Sequence, residues 1–176
     1  MDINAIAVGA NVPEEVNVII ENPMGGVPVK YELDKKSGAM IVDRFLHTAM
    51  SYPGNYGFIP HTLSGDGDPV DILVISTTSV MPGAVMAARP VGVLLMEDEA
   101  GIDEKILAVP AEHLHPYHDN VTCIDDIRPI LLEQIEHFFS HYKDLEKDKW
   151  VKTVRWGTAQ EAKIMIEEGI ERAKKT

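Results

Sequence analysis

The feature that most constrains the fold is a change of hydrophobic period along the chain. Between residues 16 and 109, short apolar or alternating runs are bounded by Gly, Pro, Asn and Asp, which is typical of β-strands. After residue 125, apolar residues recur every three or four positions, which is typical of helices. Many strands followed by helices indicate an α+β fold. We therefore predict a small antiparallel β-barrel with flanking C-terminal helices.

The expected elements follow from the same pattern. Strands are predicted at residues 16–20, 27–33, 39–45, 70–75, 91–96 and 105–109, with a hairpin loop at 34–38. A first helix is expected to be capped by Asp125 and Asp126. Its apolar face comprises Leu131, Ile135, Phe138, Tyr142 and Leu145. Thr158 and Glu161 form a capping box that predicts a final helix. No linker or repeat interrupts the chain, so we expect one domain over residues 1–176.

Composition and charge exclude several classes of protein. The formal net charge is −12, whereas a nucleic-acid-binding protein usually presents a basic face. No apolar run approaches the ~20 residues of a membrane span, and the first residues lack the basic start and apolar core of a secretory signal. The single cysteine, Cys123, excludes an internal disulfide and is expected to be a small buried side chain. We therefore expect a cytoplasmic protein that binds neither nucleic acid nor a membrane.

The sharpest motif is the hexapeptide Asp-Gly-Asp-Pro-Val-Asp at positions 66–71, just before an apolar strand. Gathering Asp66, Asp68 and Asp71 is electrostatically costly unless protons or cations compensate. Mg²⁺ prefers oxygen ligands of this kind, so a magnesium site is one interpretation and a turn with three solvated acids is the other. The ~12-residue calcium loop of helical pairs fits badly, because Val70 and Asp71 occupy positions that need an oxygen ligand and a glycine.

A second acidic group and a few basic residues extend this interpretation. Asp98 and Asp103 flank a loop between two predicted strands. Alone they indicate a solvated hairpin, but beside residues 66–71 they would complete a site for several cations. Only 7 of the 16 Lys and Arg residues lie in the first 142 positions, so those in or beside strands are candidates for binding phosphate. They are Lys30, Arg44 and Lys105. The alternative for each is a surface charge paired with a nearby acid.

The aromatic segment at residues 52–60 has two interpretations. It is rich in Pro and Gly, and it contains Tyr52, Tyr56 and Phe58. These side chains either fill the core of a rigid packing loop or bring a tyrosine hydroxyl to phosphate. The sequence does not decide between the two.

A second aromatic segment lies on the first predicted helix. His137 and His141 are four residues apart and share a helix face, but Phe138 replaces the glutamate of the zinc-protease motif. We therefore assign the two histidines to the surface or to a subunit contact. Tyr142 and Lys143 would suit the edge of a phosphate site, although the aromatic stripe of this helix is more simply core.

Together these segments resemble the bacterial type of the soluble family I inorganic pyrophosphatases. The hexapeptide at 66–71 is that family's signature, and the likeness runs from about residue 16 to residue 156. The other matching segments are 30–32, 42–44, 52–60, 98–99, 103–105 and 141–146. Because several motifs occur in the family's order, the resemblance is specific.

The resemblance implies a fold, a reaction and an assembly. The fold is a five-stranded barrel related to the OB fold. The reaction is hydrolysis of inorganic pyrophosphate to two phosphates by attack of a metal-activated water. The cofactor is Mg²⁺, and the substrate arrives as its magnesium complex. Bacterial members are typically hexamers, so we expect a homohexamer in which His137 and His141 lie at a subunit contact.

The resemblance also assigns roles to residues. Asp68 matches the proposed acceptor of the proton of the attacking water. The metal positions are Asp66, Asp71, Asp98, Asp103, Glu21 and Glu32. Asp71 bridges two cations, which would lower the pKa of the attacking water from ~15.7 towards ~7. The phosphate-binding positions are Lys30, Arg44, Tyr56, Lys105, Tyr142 and Lys143.

Two other functions are compatible with parts of the sequence. A non-catalytic cation-binding protein could use the same acids, but it leaves Lys30, Arg44 and the pair Tyr142 and Lys143 without a role. A nucleic-acid module of the OB type needs a basic groove beside stacking aromatic residues, and the charge of this chain has the wrong sign. Phosphate release from pyrophosphate and affinity for nucleic acid would separate the three.

Overall fold

In a computed structural model that describes residues 1–99 and 101–175, eight strands and two α-helices are present. The strands are β1 (Val16–Asn22), β2 (Val29–Leu33), β3 (Met40–Phe45), β4 (Asn55–Phe58), β5 (Asp71–Val74), β6 (Val85–Asp98), β7 (Gly101–Pro110) and β8 (Val151–Gly157). The helices are α1 (Pro129–His141) and α2 (Ala159–Ala173). Each predicted strand is present, so the α+β class is confirmed. Ala100, in the acidic loop, lies outside the described residues.

Six of the strands form one sheet in the order β1-β4-β5-β7-β6-β8. β1 also pairs with β6, so the pairings from β1 through β4, β5, β7 and β6 return to β1 in a closed circuit. The prediction of a purely antiparallel arrangement is wrong at one place, because β5 and β7 are parallel. Parallel neighbours need a long connection, and here the chain makes it through β6. β2 and β3 form a separate antiparallel hairpin.

The two helices cover different faces of the strands. α1 contributes Phe138 to one hydrophobic cluster, and α2 contributes Ile166 to another. On β5, Leu73 belongs to the first cluster and its two neighbours, Ile72 and Val74, belong to the second. Successive side chains of a strand point to opposite faces, so the same short strand supports both helices.

The first helix begins later than predicted. Asp125 and Asp126 lie in a short 3₁₀ turn, and α1 starts at Pro129. The Asp126 carboxylate accepts hydrogen bonds from the backbone N–H and the hydroxyl of Thr122, at 2.8 and 2.9 Å. Proline suits the first turn of a helix but keeps the preceding residue out of helical conformation, and Arg128 is accordingly extended.

The segment between the helices also differs from the prediction. α1 ends at His141, so Tyr142 closes it and Leu145 lies beyond it, 70% exposed. β8 follows and pairs antiparallel with β6. The sequence analysis missed this strand because its short run mixes charged and apolar residues within a region of helical period.

The second helix begins where predicted. The Thr158 hydroxyl accepts a hydrogen bond from the Glu161 N–H at 3.2 Å, and the Glu161 carboxylate accepts one from the Thr158 N–H at 2.7 Å. The capping box is therefore confirmed. Cys123 is half-buried rather than buried. Among the described residues, neither helix has the length and apolar character needed to cross a membrane.

Candidate active site

The register of β5 places an acid beside a base. Asp71 is the first residue of β5, ahead of three buried apolar residues. Its partner on β4 is Phe58, and its partner on β7 is Lys105. Residues in register on neighbouring strands project to the same face of a sheet, so Asp71 and Lys105 meet there.

Lys105 is a buried base held between two acids. Its side chain is 6% exposed, and its Nζ donates hydrogen bonds to Asp71 Oδ2 at 2.5 Å and Asp103 Oδ1 at 2.8 Å. Burial alone would lower the pKa of Lys105, but the carboxylates of Asp71 and Asp103 outweigh it and hold that pKa well above its usual range. Burial raises the pKa of Asp103, while Lys105 opposes the rise. The ammonium group therefore supplies positive charge where two carboxylates meet.

The loop before β5 presents the other two acids of the motif to solvent. Gly67 has a φ of +94°, in the region that favours glycine. The Asp66 carboxylate accepts a hydrogen bond from the Asp68 N–H at 3.0 Å. The Asp68 side chain is 74% exposed, and its Oδ1 lies 3.3 Å from Lys35 Nζ. The turn thus fixes the backbone and leaves the Asp68 carboxylate accessible.

A cavity of about 100 Å³ opens beside these acids. It is lined by Glu21, Lys30, Glu32, Lys35, Tyr56, Phe58, Asp66, Asp68, Pro69 and Asp71. Burial raises the pKa of Glu21 to about 7, although its carboxylate accepts a hydrogen bond from the Leu33 N–H at 2.8 Å. Five carboxyl side chains thus face two ammonium groups, which leaves the cavity short of positive charge.

The β2–β3 hairpin contributes two basic residues next to the cavity. Lys30 and Arg44 are register partners, and the Asp43 carboxylate lies 3.1 Å from Lys30 Nζ and 2.8 Å from Arg44 Nη1. The Nε of Arg44 lies 3.1 Å from the Glu146 carboxylate. Burial alone would lower the pKa of Arg44, but Glu146 and Asp43 raise it. Lys30 Nζ also lies 3.8 Å from the Glu32 carboxylate, because side chains two residues apart on a strand share a face.

A lysine after α1 pairs with the acidic β6–β7 hairpin. Lys143 Nζ lies 2.8 Å from Asp98 Oδ2 and 3.8 Å from Glu99, and the side chains of Lys143 and Asp98 are each 11% exposed. The same Nζ lies 5.6 Å from the centre of the Tyr142 ring. Asp98 in turn interacts electrostatically with Asp103, which connects this pair to Lys105.

Two buried tyrosines stack on each other, and one of them, Tyr56, lines the cavity. The rings of Tyr52 and Tyr56 are stacked with centroids 5.1 Å apart, and Lys105 Nζ lies 5.7 Å from the centre of the Tyr56 ring. Burial raises the pKa of both tyrosines well above the usual range. Their hydroxyl groups therefore keep their protons at neutral pH and are able to donate hydrogen bonds.

The residues predicted from the sequence fall into two sets. Those that line the cavity are Glu21, Lys30, Glu32, Tyr56, Asp66, Asp68 and Asp71. Those outside its lining are Arg44, Asp98, Asp103, Lys105, Tyr142 and Lys143. Lys105 links the second set to Asp71, and Tyr142 interacts electrostatically with Arg44, Lys105 and Lys143.

The sequence analysis missed three charged residues of the region. Lys35 lines the cavity, while Asp43 and Glu146 hold Arg44 from two sides. Asp43 and Glu146 lie inside segments that match the pyrophosphatase pattern, so their position was a usable signal. For Lys35, the only signal in the sequence was its place in the predicted hairpin loop.

Comparisons with known proteins decide the family. The family model described as inorganic pyrophosphatase matches residues 18–174. An inorganic pyrophosphatase of Bradyrhizobium diazoefficiens is 63% identical over 175 residues, covering 99% of this chain and 98% of that one. The chain belongs to the inorganic pyrophosphatase family. A solved inorganic pyrophosphatase from Thermus thermophilus is 44% identical, with a TM-score of 0.94 and 99% coverage of each chain. A solved inorganic phosphatase from Anaplasma phagocytophilum is 56% identical, with a TM-score of 0.94, covering 96% of this chain and 99% of that one.

Membership of this family establishes the reaction. Inorganic pyrophosphatases hydrolyse pyrophosphate, and the high identity to bacterial members confirms the bacterial type predicted from the sequence. The chain is therefore an enzyme whose substrate is pyrophosphate. The family also uses a divalent metal cofactor, so the residues present must be able to hold one.

The donor groups around the cavity fit a hard divalent cation. Within residues 1–99 and 101–175, no three His, Cys, Asp or Glu side chains converge as ready-made ligands. Instead, the ammonium group of Lys105 lies between Asp71 and Asp103, where positive charge is needed. The acids that line the cavity offer carboxylate oxygens, which hard cations prefer. An excess of such oxygens over bases is the chemistry that this cofactor requires.

Proposed function

We propose that the chain hydrolyses magnesium pyrophosphate at the cavity beside β5, with Mg²⁺ as cofactor and two phosphates as products. The main observation in support of this site is that Lys105 contacts both Asp71 and Asp103 next to a cavity lined by five carboxyl side chains. Pyrophosphate carries concentrated negative charge, which must be compensated before a nucleophile reaches phosphorus. The arrangement offers carboxylates for cations and ammonium groups for phosphate.

Six carboxylates would hold the metal ions. Asp66, Asp71 and Asp103 would bind the first cation, and Asp71 would bridge to a second. The further positions are Asp98, Glu21 and Glu32. When bound, magnesium lowers the pKa of coordinated water and neutralises charge on phosphate. Burial raises the pKa of Glu21 and of Asp103, which supports this role because such groups gain from a nearby cation.

Six side chains would bind the phosphate groups: Lys30, Arg44, Tyr56, Lys105, Tyr142 and Lys143. The four basic members are each paired with a carboxylate in the protein alone. Once cations bind Asp71, Asp98 and Asp103, the ammonium groups of Lys105 and Lys143 would become available to phosphate oxygens. Arg44 would present two parallel N–H groups, and the protonated hydroxyl of Tyr56 would donate a hydrogen bond.

Asp68 would accept the proton of the attacking water. Its carboxylate is exposed at the cavity, between the metal positions Asp66 and Asp71 in sequence. As the water oxygen bonds to phosphorus, the bridging P–O bond breaks and the second phosphate leaves in line. Lys30, Arg44 and Lys143 would stabilise the charge that shifts onto the phosphate oxygens.

We extend the proposal to the whole molecule. The closed circuit of β1, β4, β5, β7 and β6 supports a five-stranded barrel of the OB type. Val16 and Ile166, from distant parts of the chain, share one hydrophobic cluster, which supports a single domain over residues 1–176. The molecule would act in the cytoplasm as a homohexamer. His137 and His141, exposed on α1 with ring centroids 4.7 Å apart, are the suggested subunit contact.

Phosphate release from pyrophosphate by the purified protein tests the proposal. Rapid release is expected with magnesium and none with a chelator. Asp71→Ala should weaken the response to magnesium more than Arg44→Ala, because only Asp71 would bind the metal. Identical magnesium titrations for the two variants would contradict the ligand assignment. No release from folded protein in either condition would favour a non-catalytic cation-binding protein.

A further inference from the structure

The loop that carries Asp66 and Asp68 is held at its base by α2, a helix outside the cavity lining. The Leu63 N–H donates a hydrogen bond to the Gly169 carbonyl oxygen at 2.9 Å. The Leu63 carbonyl oxygen accepts one from Arg172 Nε at 2.7 Å. Both backbone groups of Leu63 are therefore bound to the same helix.

Gly169 allows the helix to approach the loop closely. Glycine is among the least favoured residues in a helix interior, so a glycine within α2 calls for a packing reason. A Cβ at this position would lie 2.7 Å from Val70 Cγ2 and 3.4 Å from both the Leu63 oxygen and Thr62 Cβ. The absence of a side chain at Gly169 is thus what brings α2 against both ends of the loop.

Thr62 closes the loop between its two ends. Its side chain is buried, and its hydroxyl donates a hydrogen bond to the Ile59 carbonyl oxygen at 2.6 Å. The Thr62 hydroxyl oxygen also accepts a hydrogen bond from the Val70 N–H at 3.0 Å. Residues 65–68, in contrast, are exposed. The base of the loop is therefore held by hydrogen bonds to buried groups and its acidic tip is exposed, so a displaced base would displace both carboxylates.

The guanidinium group of Arg172 and the carboxylate of Asp66 share one electrostatic neighbour. Glu104, half-buried on β7, interacts with both Arg172 and Asp66. Burial raises the pKa of Glu104, and Arg172 opposes that rise. Arg172 also lies 3.5 Å from Glu168 one helical turn earlier, which orients its side chain along α2.

We propose that Arg172 and Gly169 are positioning residues of the pyrophosphatase reaction, which set the loop so that Asp66 and Asp68 meet the metal and the attacking water. This inference rests on the roles proposed above for Asp66 and Asp68. Neither α2 residue lines the cavity. Their action is geometric, since catalytic groups must be held close to their productive positions.

Arg172→Met is the decisive variant. We expect the magnesium concentration for half-maximal phosphate release to rise about 10-fold and kcat to fall about 10-fold, the lower range for loss of a residue that orients a ligand. Calorimetric titration with magnesium alone should show the same loss of affinity without any turnover. Arg172→Lys keeps a donor and a positive charge, so it should recover part of the lost magnesium affinity and part of the lost kcat. If Arg172→Met unfolds at the assay temperature, Arg172→Lys is compared with the wild type instead.

A matched control separates positioning from stability. Ile166→Val removes one methylene from a buried position of the same helix, so it should lower Tm without changing the magnesium titration. Wild-type magnesium affinity and kcat in Arg172→Met would overturn the inference. An equal shift in Ile166→Val would overturn it as well, because the effect would then follow stability alone.

Asp66→Asn distinguishes failure of this inference from failure of the proposed site. If Asp66→Asn leaves the magnesium titration unchanged, the metal role of Asp66 is wrong and the inference falls with it. If Asp66→Asn weakens magnesium binding and Arg172→Met does not, the proposed site stands and only the role of α2 is wrong.

Discussion

At the scale of single residues, charge compensation organises the site. Lys105 separates Asp71 from Asp103, and Lys143 pairs with Asp98. Buried carboxylates repel one another unless a positive group stands between them, so these lysines allow the acids to stay close in the protein alone. A metal ion bound at the proposed site would supply part of the same positive charge.

We expect Lys105→Met to destabilise the metal-free protein by about 3–5 kcal/mol, because it leaves the half-buried carboxylates of Asp71 and Asp103 without their partner. Magnesium should recover part of this loss, since cations supply the missing positive charge. Urea unfolding with a chelator and with magnesium measures both values, and Lys36→Met on the exposed hairpin turn is the control. Equal losses in the two conditions would argue against a role shared between Lys105 and the metal.

Asp68→Asn should lower turnover by roughly 10²–10⁴, the usual range for loss of a general base. Its magnesium titration should stay near that of the wild type, because Asp68 is assigned to the proton and not to the metal. Steady-state phosphate release over a range of magnesium concentrations measures both. Turnover near the wild-type value would remove Asp68 from the role of base.

The sequence identified residues whose chemistry is local and missed those whose partners are distant. Asp66, Asp68 and Asp71 stand out because they lie within one short motif. Glu146 does not, because it lies outside that motif and its partner Arg44 is 102 positions away. Contacts of this range depend on the tertiary fold, which no local pattern contains.

At the scale of elements, local rules worked where a single interaction decided the outcome. The capping box of Thr158 and Glu161 set the start of α2 as predicted. The start of α1 was set by Pro129, whose ring outweighed the capping preference of Asp125 and Asp126. β8 escaped prediction because its pairing with β6, rather than its own pattern, makes it a strand.

The capping box gives α2 a dependence on pH. The hydrogen bond from Arg155 and those from Thr158 lower the pKa of Glu161 to about 2, below its ordinary value of 4.5. The ionised carboxylate therefore stabilises the fold above about pH 4.5, and this contribution is lost as the pH falls towards 2.

Glu161→Gln should accordingly lower Tm by about 2–4 °C at pH 7, and the difference from the wild type should narrow below pH 4.5. Thermal unfolding followed from pH 7 to pH 3 would check the trend, with Glu167→Gln on the same helix as the control. A difference that stays constant over this range would show that ionisation of Glu161 does not contribute.

At the scale of the whole molecule, the proposed metal ions should act as ligands of the folded state. A ligand present at 100 times its Kd stabilises a fold by about 2.7 kcal/mol, which corresponds to roughly 5–10 °C for a chain of this size. We expect that rise in Tm with magnesium. Asp71→Asn should remove most of this rise in Tm, whereas the control variant Lys36→Met should retain it. A full rise in Asp71→Asn would place the metal elsewhere.

The sequence predicted the fold class but not how the strands close. The order of strands and helices was sufficient for an α+β class. The pairing of β1 with both β4 and β6, and the parallel contact of β5 with β7, join segments far apart in sequence. The adjacency of Asp71 and Asp103 depends on that contact, so the sequence named both acids without locating them together.

Closure of the strand circuit also bears on behaviour at high concentration. An unpaired strand edge is able to recruit an identical edge from another molecule, which is a first step towards aggregates. Within the described part of the chain, the strands of the circuit are paired on both flanks, and β8 ends the sheet. Lys152 and Arg155 are exposed on β8, so two such edges would bring like charges together. Concentrated solutions should therefore resist edge-to-edge self-association through this sheet.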